Sequence, residues 1–331
     1  MKYTENALNI LTSLIYKGIG RAWVSKNLNL YKNINSLIGQ LNKSSKTEFD
    51  ITIDDFENKK NNIKKLIDNS SRFIDGVIAI GDENFPTHRG HVKDSEKPIF
   101  LFYKGNLDLL NQSNKNIAVI GLLNPDLKIE NIERSVVNEL VNKGATIVSG
   151  LALGCDTIAH RQALQSKGKT IAILPSPLSN ILPSKNKDLA IEIVANDGLL
   201  ITEYLTDAKS KMALSGRYQD RDRLQALFSD CIVLSASYAK NDLGNDSGSR
   251  LTMGYAANYK IQRAVIYNKL SDSDNPRFDL NRQCIKEDKN IIVINNENFE
   301  QSIDAIISTT TNEKNKYNTL SLLKYMQNTW N

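Results

Sequence analysis

Cysteine and histidine are scarce in this chain, with three of each in 331 residues. Cys155, Cys231 and Cys284 are odd in number and far apart. That excludes a disulfide framework, offers no metal-ligand spacing, and reads as reduced thiols of a cytosolic protein. His88 and His91 stand in a loop-like stretch with no third ligand nearby, so no metal is expected. No apolar run approaches the roughly 18 residues that a membrane span requires. The opening residues Met1-Lys2-Tyr3-Thr4-Glu5-Asn6 have no signal-peptide apolar region. A cytoplasmic location with no membrane association is the expectation.

Several catalytic motifs are missing as well. The dinucleotide fingerprint G-x-G-x-x-G is absent after Ile117–Ile120, where Gly121-Leu122-Leu123-Asn124-Pro125 stands. Gly168-Lys169-Thr170 ends like a P-loop, but Ala163 occupies the first glycine position, and the triplet opens a strand-like run rather than a helix. No G-x-S-x-G elbow occurs. Dinucleotide redox chemistry, ATP hydrolysis and nucleophilic hydrolysis therefore lack support, and neither a cofactor nor an enzymatic activity is expected.

What is present is a mildly basic chain, with 42 Lys and Arg against 37 Asp and Glu, and 40% hydrophobic residues. That is enough to bury a sizeable core, and the charge permits a local nucleic-acid-binding patch without requiring one. Leu8, Leu11, Leu14 and Ile15 have helical spacing, and residues 5–42 read as short helices. Between them, Gly18 and Gly20 resemble a helix-hairpin-helix turn, whose backbone N–H groups can meet a phosphate. A small helical packing module reads from the same residues. Residues 43–70 read as a linker plus an exposed helix, and Pro98–Asn106 as a strand ending in a turn.

From Asn116 a regular alternation begins. Strand-like runs at Ile117–Ile120, Ala145–Val148, Thr170–Leu174, Leu199–Glu203, Cys231–Ser235, Ala264–Tyr267 and Ile291–Ile294 alternate with helical segments such as Ile129–Asn142 and Lys187–Ala195. This predicts an α/β fold: an extended Rossmann-like, doubly wound, mostly parallel sheet with a small N-terminal helical domain. The boundaries read as 1–70 for the helical domain and linker, 71–310 for the sheet domain, and 311–331 for a short helical tail.

Ligands of such sheets bind outside the carboxyl ends of the strands. Four segments expected as loops fall there: Ser149–Asp156, Pro175–Asn186, Ser215–Arg223 and Asp246–Thr252. The first carries Ser149, Gly150 and Gly154 between a strand and a helix, an arrangement that lets a phosphate approach backbone N–H groups. Gly121 ends the first strand of the alternation. Lys185 and Asn186, Arg217, Arg221 and Arg223, and the helix-opening Ser247-Gly248-Ser249 could hold phosphates. Tyr218 could stack a base. His160, on the helix after the first loop, reads as a packed or capping residue rather than a general base.

The same residues carry a family resemblance. Gly81-Asp82-Glu83-Asn84-Phe85-Pro86, Phe102-Tyr103-Lys104-Gly105-Asn106, Ser149 to Asp156 with Ala159-His160, Gly168-Lys169-Thr170-Ile171-Ala172, the Pro183/Asn186 loop, Gly198-Leu199-Leu200-Ile201-Thr202-Glu203, Arg221 to Asp230, and Ser247-Gly248-Ser249 with Thr252 and Ala256 follow in order. From about residue 5 to about 270 the chain resembles the DprA/Smf family of DNA-processing proteins. The resemblance implies single-stranded DNA bound in a basic pocket at the strand ends, a homodimer, protection of incoming strands in natural transformation, and loading of a RecA-type recombinase, with no chemical step. The winged-helix domain of many members is expected to be absent. Four positions depart from the family pattern: Leu122-Leu123 replaces Ser-Arg, Leu153 stands where an arginine is frequent, and Asp222 replaces an asparagine. These lower the positive charge expected of the pocket. They leave open an alternative, a nucleotide- or small-phosphate-binding sensor on the same scaffold.

Overall fold

The computed structural model describes residues 2–241 and 248–308. Four helices open the chain: α1 (Glu5–Ser13), α2 (Arg21–Lys26), α3 (Ile34–Ser44) and α4 (Ile53–Asn69). The sheet begins with β1 (Gly76–Ala79) and β2 (Phe100–Gly105). There follow β3 (Lys115–Ile120), α5 (Leu127–Asn142), β4 (Ala145–Ser149), α6 (Cys155–Gln165), β5 (Thr170–Ile173), α7 (Lys187–Ala195) and β6 (Leu199–Thr202). The remainder is α8 (Lys211–Leu227), β7 (Cys231–Leu234), α9 (Gly248–Tyr259), β8 (Gln262–Ile266), α10 (Lys269–Asp272), α11 (Asp279–Glu287) and β9 (Ile292–Ile294), with residues 299–308 helical. The tail expected at 311–331 lies outside the described residues.

Nine strands form one sheet in the order β1-β2-β6-β5-β4-β3-β7-β8-β9. Strands β3 to β9 pair in parallel, and β1 and β2 add an antiparallel edge beside β6. Each of the seven strand-like runs expected after Asn116 is one of the parallel strands. They read as unbroken apolar runs because both sheet faces are covered. Ala118, Ile120, Val148, Ile173 and Leu234 pack on one face with Leu224, Leu227 and Phe228 of α8 and its end, and Met253 and Ala256 of α9. Ile117, Val119, Ile147 and Val233 pack on the other with Val136, Val137 and Leu140 of α5.

On that second face the apolar layer continues over β1 and β2. Val77, Ala79, Phe102 and Leu200 share one cluster with Ala7, Ile10, Leu37, Leu41, Phe56 and Ile67 from α1, α3 and α4. Helix α4 is therefore amphipathic rather than exposed. Phe56, Lys60 and Ile67 lie on its buried stripe, and Thr52 caps it by accepting from the Asp55 N–H at 3.1 Å. Its high lysine and asparagine content hid the stripe, because three buried positions suffice to seat seventeen residues. Strand β1 was not anticipated either, being only four residues long beside a turn-rich segment.

Two buried titratable groups lie between α5, α6 and the sheet. Thr170 Oγ1 donates to the Ile147 carbonyl at 2.8 Å, so at 2.7 Å it accepts from His160 Nδ1. The ring is thus the neutral Nδ1–H tautomer, with Nε2 facing no partner, and burial together with the charge of Arg221 pushes it down to about 3. This is a packed histidine. Glu133 on α5 is fully buried, with Cys155 and Ser235 facing it but closing no hydrogen bond. Burial pushes its carboxyl up to about 8. Among the described residues no helix is long and apolar enough to cross a membrane.

Two outcomes are expected. Phe56, fully buried and stacked on Tyr16 at 6.2 Å between ring centroids, should cost ~3–5 kcal/mol when cut to alanine. Urea unfolding measures this, and a loss below about 1 kcal/mol would show that the helices do not seat on the sheet. Glu133 keeps its proton in the fold to a pH where the unfolded chain has lost it. Its contribution is thus complete below about pH 4.5 and lost as pH rises through about 8. Melting temperatures of Glu133→Gln and the native chain should coincide near the lower value and diverge in favour of the glutamine variant toward the upper one.

Candidate functional site

Strand β3 is the topological switch of the sheet: the chain runs from it outward through β4, β5 and β6, then returns to β7 on its other side and continues to β8 and β9. A crevice forms outside the carboxyl ends of strands at such a point. Here a cleft of about 610 Å³ is lined by Gly121, Leu122, Leu123 and Asn124 after β3, Gly150, Ala152, Leu153 and Asp156 around the start of α6, Leu182 and Pro183, Tyr218, Arg221, Asp222 and Gln225 of α8, Tyr238, and Gly248, Ser249 and Thr252 of α9.

The loop after β4 is built around its own carboxylate. Asp156 Oδ2 accepts from the Gly150 N–H at 3.1 Å and the Ala152 N–H at 3.2 Å, and pairs with Arg221 Nη1 at 3.3 Å. These are two of the backbone donors that would otherwise meet a phosphate. An acidic residue in the first turn of a helix favours this position, and that signal was legible in the sequence. Gly154, the N-cap of α6, sits at φ +73°, and a Cβ there would lie 2.2 Å from the Leu122 carbonyl oxygen. A Cβ on Gly150 would overlap Arg221 Nη1, so a side chain there would displace the guanidinium.

Ser149 and Asn186 hold this loop from behind. The Ser149 hydroxyl donates to the Val119 carbonyl at 2.7 Å. Asn186 Nδ2 donates to the Leu151 carbonyl at 2.8 Å, the Ala152 carbonyl at 3.1 Å and Thr157 Oγ1 at 2.8 Å. Both side chains are buried, whereas neighbouring Lys185 is exposed and outside the cleft lining. Ser249 Oγ donates to the Gly121 carbonyl at 3.1 Å, joining α9 to the end of β3. Gly248 lines the cleft, and Ser247 lies outside the described residues.

Residues Ser215–Arg223, expected as a loop, belong to α8. Ser210 caps the helix by accepting from the Ala213 N–H at 3.1 Å, and Ser215 and Gly216 are tolerated because they lie on its exposed face. The helix separates Arg221 from Arg223. Residues two apart are turned about 200° around a helix axis, so Arg221 and Arg223 face opposite ways. Arg221 joins Tyr218 and Gln225 on the cleft side, with its guanidinium 5.6 Å from the Tyr218 ring centroid. Arg223 pairs with Glu203 at 2.7 Å and donates to the Glu96 carbonyl. Arg217 lies over the Tyr204 ring at 4.1 Å and donates to the Thr206 carbonyl at 2.7 Å. Arg21, just after the Gly18–Gly20 turn, reaches the same side of α8, pairing with Glu203 at 2.8 Å and Asp220 at 3.3 Å.

Among the described residues the cleft lining carries one arginine and two aspartates, so these side chains give it no surplus of positive charge. Arg221 Nε faces Asp222 Oδ1 at 3.2 Å. Burial opposes the charge of Arg221, but Asp222 and Asp156 hold it above its ordinary range. Burial pushes Asp222 up to about 7, against the pull of Arg221 and with the repulsion of Asp156. Leu122 is buried against Ile129, Cys155 and Phe278, so only Leu123 and Leu153, 60% and 38% exposed, bring the expected apolar character to the rim. The Cys155 thiol below the floor is raised by burial and by Glu133, and is therefore unreactive.

Comparison with known proteins agrees with this architecture. A family model described as DNA recombination-mediator protein A matches residues 76–302. The DNA processing protein DprA of Streptococcus pneumoniae is 40% identical over 131 residues, which is 38% of this chain and 43% of that one. The Bacillus subtilis DprA is 28% identical over 176 residues, 53% and 55% of the two chains. The chain thus spans about half the length of the curated relatives it matches. Among solved structures, the Streptococcus pneumoniae protein superposes with a TM-score of 0.66 at 24% identity, over 88% of this chain and 95% of that one, a likeness of fold. DNA processing protein A of Helicobacter pylori, whose structure addresses its single-stranded DNA binding mode, superposes with a TM-score of 0.55 at 28% identity, over 70% and 96%. With its whole sheet inside the matched stretch, the chain belongs to the DNA recombination-mediator protein A family, the DprA/Smf proteins.

Proposed function

We propose that this protein binds single-stranded DNA across the cleft outside β3, β4 and β7, with no chemical step. The observation that carries this reading is the convergence on one cleft of two helix starts, α6 at Gly154 and α9 at Gly248, with Arg221 and the half-exposed ring of Tyr218. Helix N-termini attract phosphate, and an aromatic face accepts any base. Gly121, Gly150, Gly154, Tyr218, Arg221, Gly248 and Ser249 are the proposed contacts, with Lys185 reaching from the rim. Ser149 and Asn186 shape the loop, and Arg217 and Arg223 orient α8.

Family membership supports the finer reading. Bound strands would be protected and passed to a RecA-type recombinase during transformation or recombination. A homodimer is the proposed working form, with residues 71–310 carrying the strand and 1–70 as the helical domain. A nucleotide- or small-phosphate-binding role is the second reading. It is favoured by the apolar rim of Leu123, Leu153, Leu182 and Pro183, and by a cleft volume within the range of small-molecule sites.

Fluorescence anisotropy with a labelled oligodeoxythymidylate tests the first reading. Tyr218→Ala should weaken binding by ~1–3 kcal/mol if it stacks one base. Lys185→Ala should flatten the dependence of log affinity on log salt by about 0.7 for one lost phosphate contact. Failure of the native protein to bind at low salt, or native-like binding by both variants, rejects it. Thermal stabilisation by mononucleotides without any by oligonucleotides favours the second reading.

A further inference from the structure

We infer that Asp222 sets the affinity of the cleft for the phosphates of a nucleic-acid strand by taking up a proton from solvent as the anion binds. This rests on the strand-binding reading above. Arg221, the cation among the described residues of the cleft lining, is flanked on both sides: Asp156 Oδ2 meets Nη1 at 3.3 Å and Asp222 Oδ1 meets Nε at 3.2 Å. The two aspartates are not equivalent. Asp156 Oδ2 accepts from two backbone N–H groups as well as the guanidinium. Asp222 is 2% exposed and accepts no hydrogen bond on Oδ2. That oxygen faces the start of α9, where a Cβ on Gly248 would lie 2.7 Å away.

With both aspartates ionised, the triad carries a net negative charge directly beside the helix start that would attract a phosphate. With a proton on Oδ2 the triad is neutral, Arg221 keeps a single carboxylate partner, and Oδ2–H becomes a donor pointing toward the bound anion. Among the described residues, the charged and titratable groups around Asp222 are Arg221 on its own helix, Asp156 on α6 and Tyr255 on α9. Asp222 and Asp156 hold Arg221 in its charged form through the neutral range, and burial keeps Tyr255 neutral. Asp222 is therefore the member of the cluster that changes state there, as its displacement to about 7 reflects. A phosphate adds a second negative charge beside it and favours the neutral form further, so affinity falls as pH rises.

The test is anisotropy of the full chain with labelled oligodeoxythymidylate at constant ionic strength from about pH 6 to about pH 8.5. Native affinity should drop roughly 30-fold over this range, approaching tenfold per unit above about pH 7. Asp222→Asn, isosteric with the protonated acid, should bind tightly with a flat profile. Glu133→Gln should keep the native slope, which separates Asp222 from the other buried carboxyl that titrates nearby. Calorimetry of the native protein in two buffers of different ionisation enthalpy should show proton uptake on binding near pH 7.5 without any substitution. Native binding with a flat profile and no proton uptake, or a slope retained in Asp222→Asn, overturns the inference while leaving strand binding intact. No binding at any pH by either protein overturns both.

Discussion

The shape of the cleft depends on Asp156 Oδ2. One oxygen accepts from Gly150, Ala152 and Arg221, and so ties the turn after β4, the first turn of α6 and the middle of α8 into one unit. Charge-assisted hydrogen bonds to backbone donors are stronger than neutral ones, and burial raises the penalty for breaking them. Glycine at position 150 is a condition of this arrangement, because any side chain there would occupy the place of the guanidinium. Asn186 and Ser149 brace the same turn from outside.

The rotation of α8 about its axis is set on its far side. Glu203 Oε2 receives both Arg223 and Arg21, and Asp220 takes Arg21 together with the Tyr204 hydroxyl at 2.7 Å. The N-terminal helices therefore reach the cleft indirectly. Arg21 holds Glu203 and Asp220, these hold α8, and α8 presents Tyr218, Arg221 and Asp222. The Gly18–Gly20 turn thus takes part in packing through the arginine that follows it, and the continuous apolar cluster from α1 to β6 supplies the rigid contact behind it.

In this member of the DprA/Smf family the cleft brings together helix starts and one compensated arginine, without a surplus of cations among the described residues of its lining. Partial helix charges act over about one turn and are less sensitive to salt when partly buried. Leu123 and Leu153 add apolar surface at the rim, where a base or ribose gains more than a phosphate does. In the reading proposed above, strand binding would lean on stacking and on the protonation state of Asp222.

The sequence alone determined the seven parallel strands, their carboxyl-end loops and the family, because these are local. Apolar runs bounded by glycine-bearing turns are legible wherever both sheet faces are covered, as at Ile117–Ile120 and Cys231–Leu234. It also placed Gly121, Gly150, Tyr218, Arg221, Gly248 and Ser249 at one sheet edge. Tertiary structure alone decided what each polar group faces. Ser149 and Asn186 turn inward, Arg223 turns to Glu203, and Asp156 pairs with Arg221 of α8. These outcomes depend on partners 20 to 130 residues away and on a helical twist in α8 that charged, glycine-bearing residues concealed. Hydrogen-bond partners across such separations are fixed by packing, and periodicity in one segment carries no record of them.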